Sequence, residues 1–196
     1  MRRLGQKLYT YPGNPRAFKS LIAAKYAGVE LELPAFNMGV TNQSEEFKKN
    51  FANTAVPAFQ GAKGEFIQES NAIARYVLSQ TAAGAKLLGY TPLEQALIAQ
   101  FIEMIGALEA GISGWLYPIL GYRTFDAAAT EEAKKTVQKW LGTFDKVLLE
   151  RTYLVGESVT LADIIFACTT LNAFKMVRWH KPPRTCACVR ACVSVC

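Results

Sequence analysis

The residues best placed to do chemistry are Val56, Pro57, Glu69 and Ser70, all within residues 55–73. Proline inside an apolar run normally marks an edge, a bulge or a turn, because it has no N–H to give to a sheet. A cis Val56–Pro57 bond would turn the chain sharply and leave the Val56 N–H and C=O open, where an extended peptide can pair as an added strand. Glu69 and Ser70 fall where the next helix should begin. The free N–H groups and positive dipole end at such a point suit a carboxylate. Each feature also has a plain structural reading, Val-Pro as an edge or turn and Ser as a helix cap. Their order and spacing favour a site for a short, acidic, extended peptide.

These residues need a scaffold, and the flanking sequence supplies one. Lys7-Leu-Tyr-Thr-Tyr11 is rich in β-forming types and is closed by the turn signal Pro12-Gly13-Asn14-Pro15. Pro15 suits the first position of a helix that carries Phe18, Leu21, Ile22 and Ala24 and stops at Gly28. Val29, Leu31 and Leu33 alternate with Glu30 and Glu32, which predicts a second strand ending at Pro34. A short helix is expected around residues 44–51, then two strands about a Gly-Ala-Lys-Gly turn, then the helix opened by Glu69 and Ser70. Strand, helix, strand, helix, strand, strand, helix describes an α/β unit over residues 1–82, with the Ala/Gly-rich residues 83–90 as a linker.

Residues 91–196 read as all-helical. Thr91-Pro-Leu-Glu94 is a capping box with proline at the first helical position, ahead of Leu93, Leu97, Phe101, Ile105 and Leu108. Residues 111–121 must end or kink that helix. Residues 130–151 place Val137, Trp140, Leu141, Phe144 and Leu148 on one stripe. Thr160-Leu-Ala-Asp163 is a second capping box, flanked by Val159 and Ile164, and the run to Val177 is apolar enough for a core helix.

With 196 residues, 51% of them hydrophobic, the chain can bury a sizeable core. No signal-peptide core precedes the first strand and no uncharged apolar run of membrane-spanning length is evident, so a cytoplasmic protein without a membrane partner is expected. The formal charge of +6 owes five of its positive charges to Lys175, Arg178, Lys181, Arg184 and Arg190, so direct nucleic-acid binding is not expected. Cys168 lies in an apolar helix pattern. Cys186, Cys188, Cys192 and Cys196, near His180, match none of the usual zinc spacings, so no metal is expected.

Val56-Pro57, Glu69-Ser70 and Tyr153-Leu-Val-Gly-Glu-Ser-Val-Thr-Leu-Ala-Asp163 together resemble the cytosolic glutathione transferase family, a thioredoxin-like half followed by a helical half. Leu8-Tyr-Thr-Tyr-Pro12, Arg16-Ala-Phe-Lys-Ser-Leu-Ile-Ala-Ala24 and Glu69-Ser-Asn-Ala-Ile-Ala74 are most similar to one branch, the amino-terminal domains of elongation factor 1 gamma subunits. The likeness covers about residues 7–177. It implies glutathione as ligand or substrate: Val56, beside the family's cis proline, would pair with the cysteinyl part, and Glu69 and Ser70 would hold the γ-glutamyl amine and carboxylate.

Transferases lower the thiol pKa of glutathione with a donor from the end of the first strand. Aligned on Arg16-Ala17, the serine of one large transferase class falls on Pro12. Tyr11 is then the candidate catalytic hydroxyl, with Thr10 beside it, Tyr9 further back and Asn14 and Arg16 as other donors. For Tyr9 and Tyr11, aromatic packing on a strand is an equally good reading. After Trp179 the sequence departs from the branch, whose helical domain continues, so a helical domain cut short or altered after about residue 178 is expected. The resemblance implies a scaffold in protein synthesis that docks the nucleotide-exchange, beta-type subunit of elongation factor 1, and a second copy of itself as a further partner. The competing reading is an active glutathione transferase acting on small electrophiles.

Overall fold

The computed structural model describes residues 5–176 and divides the chain into two units, residues 1–88 and 89–196. The expectations for the cysteine-rich segment, His180 and the break after residue 178 lie outside the described residues.

The first unit is built on a three-stranded antiparallel sheet in the order β1 (Lys7–Tyr9), β2 (Ala58–Gln60), β3 (Phe66–Ile67). Leu8 and its cross-strand partner Phe59 are fully buried on one face, and Ala58, the neighbour of Phe59, is fully buried on the other, so both faces of the sheet are covered. Helix α1 (Pro15–Ala27) starts at proline and stops where Gly28 takes φ +67°, a left-handed conformation that costs glycine nothing. It presents Ala17, Ser20, Ala23, Ala24 and Ala27 to α3 (Ser70–Ser79) and α4 (Ala82–Ala85). These short side chains let the helices approach closely. A Cβ on Gly84 of α4 would stand 2.3 Å from the Leu78 carbonyl oxygen and 3.0 Å from the Ala27 Cβ.

Helix α2 (Glu45–Asn50) is capped by the Ser44 hydroxyl, which accepts from the Phe47 N–H at 3.2 Å. It brings Phe47 and Phe51 onto Ala58, where Tyr9, Phe36 and Val56 pack around them. Rings of Tyr9 meet those of Phe47 and Phe51 edge-on, both at 6.0 Å.

Two expectations change in this unit. The strand over Val29–Leu33 reduces to one parallel bridge, Lys7 with Glu32, held by Leu8 N–H to Glu32 C=O (2.9 Å) and Glu32 N–H to Gln6 C=O (2.8 Å). Pro34 follows directly and cannot donate to a ladder, and Leu33 is more than half exposed, so the apolar alternation buries too little to extend the pairing. Residues 83–88 of the stretch expected as a linker are helical, in α4 and the 3-10 turn after it, and Thr81 ties them back by donating to the Ala27 carbonyl at 3.0 Å.

The second unit comprises α5 (Pro92–Ile119), α6 (Ala127–Val147) and α7 (Leu161–Met176). The Thr91/Glu94 capping box forms as expected: Glu94 N–H donates to Thr91 Oγ1 (3.2 Å), and Thr91 N–H to the Glu94 carboxylate (3.1 Å). The buried stripe of α5 runs Ile98, Phe101, Ile105, Leu108, Ile112, Leu116, whereas the expected leading member Leu93 is exposed. Helix α5 is long and apolar enough to cross a membrane by composition. Here that stripe faces α6 and α7. It passes through Gly111 and Gly114 and ends at Ile119, beyond Pro118, with Gly121 at φ +76° closing the turn.

The other two helices complete this core. On α6, Val137, Leu141 and Phe144 are buried, and the Phe144 ring lies 6.3 Å from Phe101 and 4.6 Å from Phe166 of α7. Asp163 sits almost wholly buried in the first turn of α7 and accepts from Leu154 N–H (2.9 Å), Thr160 N–H (2.8 Å) and Thr160 Oγ1 (2.8 Å). Burial pushes its carboxyl up from the ordinary value, and the hydrogen bonds pull the other way without cancelling it.

Candidate functional site

The sheet's register assembles the candidate residues. Tyr9 faces Ala58 across β1 and β2, and Phe59 faces Ile67 across β2 and β3. Because the strands are antiparallel, the C-terminal end of β1, the N-terminal end of β2 and the C-terminal end of β3 share one end of the sheet. In sequence Tyr11, Val56 and Glu69 each lie two residues beyond Tyr9, Ala58 and Ile67 there, with Ser70 next. Across its three strands that end of the sheet is two strand spacings wide, roughly 10 Å. An extended tripeptide is also roughly 10 Å long.

The Val56–Pro57 bond is cis. Val56 is half-buried against the Phe47, Phe51 and Ala58 cluster, while Pro57 is buried. Among the described residues, no hydrogen bond engages the Val56 main chain, so its N–H and C=O form a short rung beyond the last paired residue of β2.

That rung is held from two sides. The buried Asn42 side chain accepts from Gly39 N–H (2.7 Å) and donates to the Thr54 carbonyl (2.9 Å). Gln68 accepts from Asn53 N–H (3.1 Å), and its amide donates to the Asn53 carbonyl and Oδ1, both at 2.8 Å. Asn53 Oδ1 also accepts from Ala55 N–H at 2.8 Å. Gln68 thus couples the approach to Val56 with the residue immediately before Glu69.

Glu69 is exposed, takes the N-cap position of α3 at φ +68°, ψ +115°, and makes no capping bond with its side chain. A non-glycine residue rarely adopts such a backbone, and when it does the position tends to be functional. Ser70 opens the helix and is almost buried. Lys19, fully buried on α1, donates from Nζ to Ser70 Oγ at 3.4 Å and to Asn71 Oδ1 at 3.1 Å. The start of α3 therefore combines helix N–H groups, a hydroxyl and a lysine on one side with a solvent-facing carboxylate at Glu69 on the other. That is a layout for an ammonium and a carboxylate close together on one ligand.

The remaining candidates separate by environment. Tyr9 is a packing residue: its hydroxyl donates to Gln60 Oε1 at 2.8 Å, and its pKa is raised, by burial first and then by the Glu46 charge. Asn14 is buried and serves α1, accepting from Arg16 N–H (3.0 Å) and donating to Thr10 Oγ1 (3.1 Å). Both ends of its amide are thus engaged within the β1–α1 connection, one N–H on Thr10 and the oxygen on Arg16 N–H. Thr10 is drawn into the same turn. Tyr11 stays 38% exposed on that connection, and Arg16 lies half-buried in the first turn of α1. Sequence reasoning did not single out Lys19, Asn42, Asn53 or Gln68. The only sequence signal for Lys19 is a basic residue on the helix face that carries Ala23 and Ala27.

Among the described residues no cluster of His, Cys, Asp and Glu is arranged to hold a metal ion.

Comparison with known proteins agrees with this architecture. The family profile "Glutathione S-transferase, N-terminal domain" matches residues 5–79, and "Glutathione S-transferase, C-terminal domain" matches residues 108–180. Elongation factor 1-gamma of Artemia salina is 47% identical over 174 residues, covering 87% of this chain and 39% of the relative. The Homo sapiens protein of the same name is 43% identical over 175 residues, with the same coverage. The chain thus spans about two-fifths of the length of these relatives. A delta-class glutathione transferase of Nilaparvata lugens superposes with a TM-score of 0.84 at 25% identity, over 97% of this chain and 88% of the other. With both domain profiles matched in order along one chain and elongation factor 1-gamma sequences as its relatives, this protein belongs to the glutathione S-transferase family.

Proposed function

We propose that the chain is the glutathione-site part of an elongation factor 1 gamma subunit, acting in cytoplasmic protein synthesis as a scaffold for the nucleotide-exchange subunit. One observation supports the ligand half of this reading: the cis Val56–Pro57 bond leaves the Val56 main chain open beyond the end of β2, on the side of the sheet where β3 leads into Glu69 and Ser70. There the Val56 rung pairs with the cysteinyl unit of glutathione, Glu69 takes its ammonium, and Ser70 takes the γ-glutamyl carboxylate through its hydroxyl and the helix N–H groups. The likeness to elongation factor 1-gamma proteins supports the scaffold half.

A surface feature of the second unit fits protein docking. The end of α5 and the connection after it expose Ile119, Tyr122 and Phe125, and Arg123 lies over the Tyr117 ring at 5.4 Å. Aromatic and arginine side chains of this kind are the usual anchors of protein interfaces.

Titration calorimetry with glutathione tests the site. Binding should weaken by about tenfold in Ser70→Ala, the scale of one lost hydrogen bond to a charged group. Absence of binding by the folded wild type would remove the ligand half. Pull-down with the beta-type exchange subunit tests the scaffold half, where stoichiometric recovery is expected and its loss in Tyr122→Asp would map the contact.

A second reading, glutathione conjugation, is favoured by the exposure of Tyr11 at the strand end from which transferases aim a donor at sulfur. A chromogenic conjugation assay that shows turnover, abolished by Tyr11→Phe, would select it. Turnover absent despite glutathione binding selects the scaffold alone.

A further inference from the structure

Among the described residues of the first unit, Lys19 is the one charged side chain that is fully buried, and two of its hydrogen bonds go to neutral groups at the start of α3. Lysine is rarely taken fully out of water, because removing an ammonium from solvent is costly unless its surroundings compensate. Simple core packing does not call for it: the same face of α1 is otherwise made of alanine and serine.

The chemistry of its partners suggests a purpose. An ammonium only donates hydrogen bonds, whereas a serine hydroxyl and an asparagine amide each donate and accept. By donating to Ser70 Oγ and Asn71 Oδ1, Lys19 occupies an acceptor position on each. The Ser70 O–H and the Asn71 NH2 are then directed away from Lys19, as donors. A lysine beneath the helix start therefore polarises two ambivalent groups in one sense and adds positive charge to the N–H groups and dipole already there.

We propose that Lys19 is a positioning residue that makes this end of the site selective for an anionic ligand group. It presets Ser70 and Asn71 as donors, so that a carboxylate is preferred over an uncharged amide of the same shape. The inference rests on the glutathione reading above and specifies which chemical form of the γ-glutamyl end the site accepts.

The experiment compares glutathione with its analogue in which the γ-glutamyl α-carboxylate is a primary amide, by titration calorimetry. Wild type should prefer the acid by about tenfold or more, the scale of a charge-assisted hydrogen bond. Lys19→Met should bring the two affinities to within about threefold of each other by weakening the acid alone, while Lys19→Arg, which keeps a buried cationic donor, should restore most of the preference. A folded Lys19→Met protein that keeps the full preference overturns the proposal and leaves the glutathione site standing.

Wild type that binds neither ligand overturns both. A merely structural role for Lys19 would weaken acid and amide alike, which also overturns the proposal. Should Lys19→Met fail to fold, the Lys19 side-chain nitrogen resonance in 15N-lysine-labelled wild type decides. It should move when glutathione is added and stay unmoved at saturation with the amide, and equal movement with both ligands counts against the proposal.

Discussion

The two units reach order by different means. In the first, polar side chains tie distant pieces of chain together: Tyr9 to Gln60, Lys19 to Ser70 and Asn71, Asn42 to Thr54, Gln68 to Asn53. In the second, apolar stripes on three long helices interlock around Phe101, Phe144 and Phe166, with a polar knot at Asp163. A sheet whose strands are two or three residues long cannot fix loop positions through its ladder alone, so directional bonds do it. Long helices bury enough area that direction matters less. Stability should therefore be concentrated in one unit and site geometry in the other.

The largest effect that could break this contrast is Phe144→Ala. Removing a fully buried ring should cost about 3–5 kcal/mol, read as a shift in the urea midpoint at constant slope. Next is Asp163→Asn, which leaves a donor facing the Thr160 N–H and O–H and should cost about 1–3 kcal/mol. Its pH dependence has a definite sign. Burial raises the Asp163 carboxyl above its ordinary value, so the native state holds the proton more tightly than the unfolded chain. The contribution is full below the ordinary carboxylate range and is lost as pH rises through the raised value. The stability gap between wild type and Asp163→Asn should therefore narrow as pH rises across that window, in denaturation series at constant ionic strength.

In the first unit, Asn42→Ala leaves the Gly39 N–H and Thr54 C=O without their partner and should cost about 1–2 kcal/mol, together with some loss of glutathione affinity because the approach to Val56 loosens. Gln68→Ala sharpens the contrast most, since its bonds to Asn53 are exposed. Stability should change by no more than about 0.5 kcal/mol, whereas glutathione affinity should fall about threefold through lost preorganisation. Calorimetry beside thermal melts separates the two. If Gln68→Ala cost stability and spared affinity, the division of labour would be wrong.

What the sequence revealed follows the same division. Punctuation carried by single residues was legible: the Thr91/Glu94 box, Gly28 as a helix stop, the Val56-Pro57 turn, and Glu69-Ser70 at a helix start. Each works through its own backbone or that of near neighbours. Alternation over Val29–Leu33 overstates the strand, because it speaks to burial on one face and says nothing of whether a partner strand is there to pair. Leu93 looked like core because helical period does not tell where a neighbouring helix begins. Lys19 was invisible for a deeper reason. A lone lysine in a helix is normally solvated, and only the packing of α1 on α3 turns it inward. Gln68 and Asn53 likewise acquire meaning only when the hairpin closes.

Glu69 offers a way to weigh what such a site demands of its host. At φ +68° and ψ +115° the peptide around it would rest more easily on a residue without a side chain, by something on the order of 1 kcal/mol or more. Glycine at this point should give a tougher protein that grips an amino group less well. The temperature gained on making that exchange would measure the resilience the molecule forgoes to keep a carboxylate on display.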